Sequence, residues 1–121
     1  MTRHERRIAD LIPVAQLSDF KKNRHAAAIY IGNRLISVGI NKMKTHPLQA
    51  KFGRNSDAVY IHAEIAAIHN ALRVVNVEDL TRATLYVIRW YKGRIAMSKP
   101  CEGCQRAITH FGIQDCYWSE D

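Results

Sequence analysis

Cysteine is scarce in this chain of 121 residues, and three cysteines cannot form an even disulfide framework. The fold must therefore rest on a hydrophobic core, for which 47% hydrophobic residues in a chain of single-domain length are sufficient. No segment resembles a signal peptide or a membrane span, and a reducing cytoplasm is the expected compartment. Internal repeats, low-complexity tracts and linker-like stretches are also missing, so one domain over residues 1–121 is expected. Negative charge is in short supply: 11 Asp and Glu stand against 18 Lys and Arg, for a formal net charge of +7. Such a balance attracts phosphate-bearing partners, nucleotide or polynucleotide, without identifying one.

Against these absences stand two short motifs. His62-Ala63-Glu64 and Pro100-Cys101-Glu102-Gly103-Cys104 together supply three zinc ligands, His62, Cys101 and Cys104, and one carboxylate, Glu64, left off the metal. A structural zinc site normally closes its shell with a fourth Cys or His, whereas three protein ligands leave a tetrahedral position for water. Zinc lowers the pKa of water to about 7. Two residues after His62 on a helix starting there, Glu64 can face the same cavity and shuttle the proton. Pro100 suits a helix start, and the N-terminus of that helix favours anionic sulfur. Its free amides, that of Cys101 included, can stabilise oxygen charge developing on the attacked carbon. Alone, Cys-x-x-Cys is equally a redox pair or half of a zinc knuckle, and Cys116 is a conceivable fourth ligand, although Ile113 to Trp118 has the composition of a strand with a buried thiol.

With these motifs the chain resembles the zinc-dependent cytidine and deoxycytidylate deaminase superfamily, which includes tRNA adenosine deaminases and polynucleotide cytidine deaminases. The resemblance also takes in Gly39-Ile40-Asn41 at the end of an early strand and the strand Thr84 to Ile88 before the cysteines. It implies one catalytic zinc ion on His62, Cys101 and Cys104, proton transfer by Glu64, and substrate contacts from Asn41, Ala63 and Pro100. It implies a homo-oligomer as well. The chain departs from familiar members in the lengthened connection Trp90 to Met97, and it lacks the additional metal-ligand set of some deoxycytidylate deaminases.

Along the chain, Ile8, Leu11, Ile12 and Ala15 recur at helical spacing, with Pro13 marking a kink or a split into two pieces. Ala26 to Ile31 and Leu35 to Gly39, separated by Gly32-Asn33-Arg34, form a hairpin. Gly39 is either a bulge or a point of close approach. Asn41 to Asp57 has little periodicity and is expected to be a structureless substrate loop, with His46, Phe52 and Asn55 as candidate contacts. The alanine-rich run from Ala63 to Leu72 is a helix buried against a sheet, on which His69 sits about 10 Å beyond His62, too far for the same metal. His25, His69 and His110 are expected to be packed or hydrogen-bonded. Lys92-Gly93 turns a second hairpin whose Lys92 and Arg94, with Lys99, can approach a phosphate or merely face solvent. A helix from Cys101 to Phe111, stopped by Gly112, then leads into Ile113 to Trp118, which should lie parallel to the Thr84 strand through a right-handed crossover.

The expected architecture is a three-layer α/β sandwich with a mixed sheet of about five strands. The expected activity is hydrolytic removal of the exocyclic amine from a cytosine nucleotide or nucleoside. Two rivals stand beside it: a deaminase acting on RNA or single-stranded DNA, and a noncatalytic zinc-stabilised module that binds nucleic acid.

Overall fold

The computed structural model describes residues 1–52 and 60–121. Its first helical stretch is split, as the proline suggested, into α1 (Arg3–Ala9) and α2 (Ile12–Ala15). The break falls at Asp10 and Leu11 rather than at Pro13, which occupies the first turn of α2, where a missing amide hydrogen costs nothing. Thr2 caps α1 in a capping box with Glu5.

Strands β1 (Arg24–Ile31) and β2 (Arg34–Ile40) form the first hairpin, with Ala28 opposite Val38. β3 (Ala83–Tyr91) runs antiparallel along the other edge of β1, with Ala27 opposite Val87. The second hairpin returns through Lys92 and Gly93, both at positive φ (51° and 76°), into β4 (Arg94–Ala96). That geometry matches the right-handed twist of the strands it joins. β5 (Asp115–Trp118) pairs parallel with the start of β3, Thr84 opposite Asp115, so β4 and β5 flank opposite ends of one β3 edge. The five-stranded sheet is mixed.

Alternation along β1 and β3 divides the core into two layers. Ala27, Ile29, Leu85 and Val87 face α4 (Ala63–Ala71) and α5 (Glu102–His110), while Ala26, Ala28, Tyr86 and Ile88 face α1 and α2. The result is the expected three-layer sandwich. Among the described residues no helix is long and apolar enough to cross a membrane.

Two details place the site. At Gly39 a Cβ would come within 2.6 Å of the Ala63 carbonyl oxygen, so α4 lies directly on the β2 backbone. The Ser37 hydroxyl donates to the Ala67 carbonyl at 2.8 Å and fixes the same joint. The segment after β2 departs from the expected structureless loop: Pro47–Phe52 forms a short helix, α3, preceded by a bridge between Thr45 and Tyr60. Pro47 opens the helix, and Phe52 packs against His110 and Phe111. Asn55 and Asp57 lie outside the described residues.

Candidate metal centre and catalytic cavity

Two helix N-termini converge at the site. His62 is the residue before α4 and Cys101 the residue before α5, both with extended backbone, and Cys104 follows within the first turn of α5. Each side chain thus projects from a helix start, where exposed amides favour negative charge. The His62 amide donates at 2.9 Å to Oε1 of Gln49, a side chain only 1% exposed on α3. Gln49 thereby orients the histidine from behind.

His62 Nδ1 lies 3.3 Å from Cys104 Sγ and 3.6 Å from Cys101 Sγ, and the three ligand atoms all fall within 4.8 Å of one another. Tetrahedral zinc with ordinary bond lengths separates a nitrogen from a sulfur ligand by about 3.6 Å, so both the donor set and its spacing fit zinc. No further His, Cys, Asp or Glu among the described residues joins this group. Cys116 is not part of it. That thiol sits half-buried in β5 against the core, and burial pushes its pKa up to about 12.

The two cysteines differ sharply. A hydrogen bond from Cys104, then one from His62, holds the Cys101 thiol down to about 3. The bond with Cys101, reinforced by burial, pushes the Cys104 thiol upward. One sulfur is thus poised as a thiolate, and the Cys101 hydrogen bond raises His62 above its ordinary value.

Glu64 stands outside the ligand group, 4% exposed, and burial raises its carboxyl above the usual range. It lines a cavity of about 410 Å³ together with His62, Ala63 and Cys101 at the floor. The walls come from Phe20, Asn23 and His25 before and on β1, from Asn41, Tyr60 and Ile61, and from Ser98 and Lys99 before α5.

The expected site residues are therefore distributed as follows. His62, Glu64, Cys101 and Cys104 are brought together, and Asn41 and Ala63 line the cavity. Asn41 is 6% exposed, and its side chain is engaged: Oδ1 accepts from Ser18 at 2.6 Å and from the His25 amide at 2.9 Å, and Nδ2 donates to the Asn23 carbonyl at 2.7 Å. Pro100 is buried outside the lining, with its carbonyl accepting from Gln105. Of the loop candidates, Phe52 belongs to the core and His46 packs edge-to-face on His69, away from this cavity. His25, expected only to be packed, lines the cavity, and burial lowers its pKa. Phe20, Asn23 and Gln49 carry no motif in the sequence that marks them.

Comparison with known proteins agrees with this geometry. Among solved structures, the dCMP deaminase of cyanophage S-TIM5 in apo form superposes with a TM-score of 0.66 at 17% identity, over 99% of this chain and 86% of that one. The same phage enzyme in complex with dCMP and dUMP gives 0.63 at 16%, over 98% and 82%. Guanine deaminase from Bacillus subtilis gives 0.61 at 19%, with 99% of this chain covering 65% of that one. These likenesses show a shared fold. No curated protein sequence matches the chain. The family described as the cytidine and deoxycytidylate deaminase zinc-binding region matches residues 1–120. The chain belongs to that family and is a zinc-dependent nucleobase deaminase.

Proposed function

We propose that the enzyme hydrolyses the exocyclic amine of a cytosine nucleotide or nucleoside, giving the uracil compound and ammonia. The observation that carries this reading is a buried carboxylate, Glu64, beside a three-donor group of which His62 and Cys101 line a cavity large enough for a small ligand. His62, Cys101 and Cys104 hold the zinc. When bound, the metal supplies a Lewis acid that makes water nucleophilic near neutral pH.

The protein groups do the rest. Glu64 takes a proton from the attacking water and delivers it to the ring nitrogen, and the second water proton leaves with the amine as ammonia. Its burial raises the carboxyl pKa, which suits a group that must both accept and give a proton. Phe20 and Tyr60, whose rings meet at 5.9 Å, offer an apolar wall to a pyrimidine, and Lys99 offers a cation to a 5′-phosphate. Ala63 borders the base. The remaining amide hydrogen of Asn41 is available to a sugar hydroxyl. Pro100 shapes the site by starting α5.

The cyanophage enzyme bound to dCMP and dUMP supports a cytosine nucleotide, and guanine deaminase keeps a purine in view. Net charge of +7 favours a second reading, a base presented in RNA or single-stranded DNA. With the reading go one domain, a reducing cytoplasm that preserves the thiolates, and a homo-oligomer.

The test is mass-spectrometric detection of amine-to-oxygen exchange by zinc-loaded protein. Cytosine, adenine and guanine compounds, as bases, nucleosides and monophosphates, are compared with short DNA and RNA. Turnover confined to cytosine monomers is expected. Turnover confined to purines or to oligonucleotides overturns the substrate assignment.

A further inference from the structure

Lys42 donates its backbone amide to the Ile61 carbonyl at 3.2 Å, and Ile61 donates to the Lys44 carbonyl at 3.0 Å. Of this pairing, Ile61 lines the catalytic cavity. Ile61 also lines a second cavity of about 330 Å³, in the range of small-molecule pockets.

The lining of the second cavity combines two chemistries. Val14 and Leu17 from the α2 end and Val38 and Ile40 on β2 are apolar. Lys42, Lys44, His46, His69 and Arg73 supply cations and donors. Among the described residues no carboxylate lines it, and the ion pairs described elsewhere, Arg82 with Asp79 and Arg106 with Glu102, do not reach it.

The histidines add donors. His46 Nδ1 accepts the Leu48 amide at 3.1 Å, so the neutral ring carries its proton on Nε2. The His46 and His69 rings meet at 4.5 Å between centroids. Burial first, then the charges of His69 and Lys44, hold His46 below its ordinary pKa. Two facing histidines can also ligate a metal, but three neighbouring cations oppose a cation there.

We propose that this second cavity is a phosphate-binding site, separate from the catalytic cavity. Lys42, Lys44, Arg73 and the histidine donors take the anion, and the apolar lining residues seat the uncharged remainder of the ligand. The phosphate belongs either to a free small molecule or to the backbone of a nucleotide chain.

Two probes distinguish these sources on the full, zinc-loaded chain at physiological salt. One is inorganic pyrophosphate, read by calorimetry. The other is fluorescein-labelled oligothymidylate, read by anisotropy, whose bases have no exocyclic amine to lose. The triple variant K42Q/K44Q/R73Q should weaken the bound probe at least tenfold. A control, K21Q/K22Q/R34Q, removes the same charge from exposed residues elsewhere and should leave affinity within a factor of two. Pyrophosphate binding alone assigns a free ligand, and oligothymidylate binding assigns a chain. The proposal is overturned if neither probe saturates, if both triple variants lose affinity equally, or if Lys99→Gln alone abolishes binding, which would place the anion in the catalytic cavity.

Discussion

On one face of the sheet, helix and strand meet backbone to backbone, with Gly39 under Ala63 and Ala67. On the other face they are joined through long side chains. There Arg7 is buried with no ion pair to a carboxylate among the described residues, stacks over Tyr30 at 3.9 Å, and donates to the Tyr86 hydroxyl at 3.1 Å and the Gly32 carbonyl at 3.0 Å. His4 joins it, bonding the same hydroxyl and stacking on Tyr117. The first face holds every proposed zinc ligand and Glu64 with little slack. The second holds α1 by polar reach across the layer and carries none of them. Catalytic geometry should therefore depend on the first joint and be nearly indifferent to the second.

The largest effect should come from the ligands themselves. Cys104→Ser is expected to lose zinc and all measurable turnover and to lower the melting temperature, because metal binding is coupled to folding. Metal content by emission spectrometry checks it, and full occupancy would remove Cys104 from the ligand set. Glu64→Gln is expected to keep zinc while losing about 10²- to 10⁴-fold in kcat, the range of general acid–base contributions. Near-normal turnover in that variant would end the proton-shuttle role.

Gly39→Ala tests the close joint directly. Overpacking should cost about 1–3 kcal/mol, and a small displacement of His62 and Glu64 should cost activity on the order of 10²-fold. Denaturant unfolding and steady-state kinetics measure the two losses together. On the opposite face, Tyr86→Phe removes the shared acceptor of Arg7 and should cost about 1–3 kcal/mol with kcat/KM unchanged. An equal loss of activity in both variants would erase the distinction between the faces.

The smallest expected effect concerns pH. Burial holds His25 below 6.5 in the folded chain, so the unfolded chain binds more protons as pH falls through 6.5. Stability should decline on acidification below that point, by at most about 1.4 kcal/mol per pH unit from this group. His25→Gln should flatten the slope, and an unchanged slope would assign it to other groups.

Much of this arrangement is legible in the sequence because it rests on short-range patterns. The first hairpin follows turn residues between apolar runs, the second follows the turn at Lys92-Gly93, and the parallel β5 follows from a strand, helix, strand order. The four residues at the metal centre share two motifs. What escaped depends on distant partners. Gln49 becomes a support for His62 only because α3 folds back beneath it, and the cationic composition around Pro47 obscures a helix of only six residues. His25 looks like any strand histidine until β1 and the segment bearing Ser98 and Lys99 are brought to one cavity.

The contact at Gly39 also bears on how such a chain can diversify. The Gly39 contact itself is made of backbone atoms and offers no side chain to trim, so drift at that position moves the chemistry or breaks it. Phe20, Asn23 and Lys99 lie on connecting segments outside that joint, free to be exchanged one at a time. Substitution at those wall positions can change what the cavity accepts while the residues of the candidate metal centre stay in place.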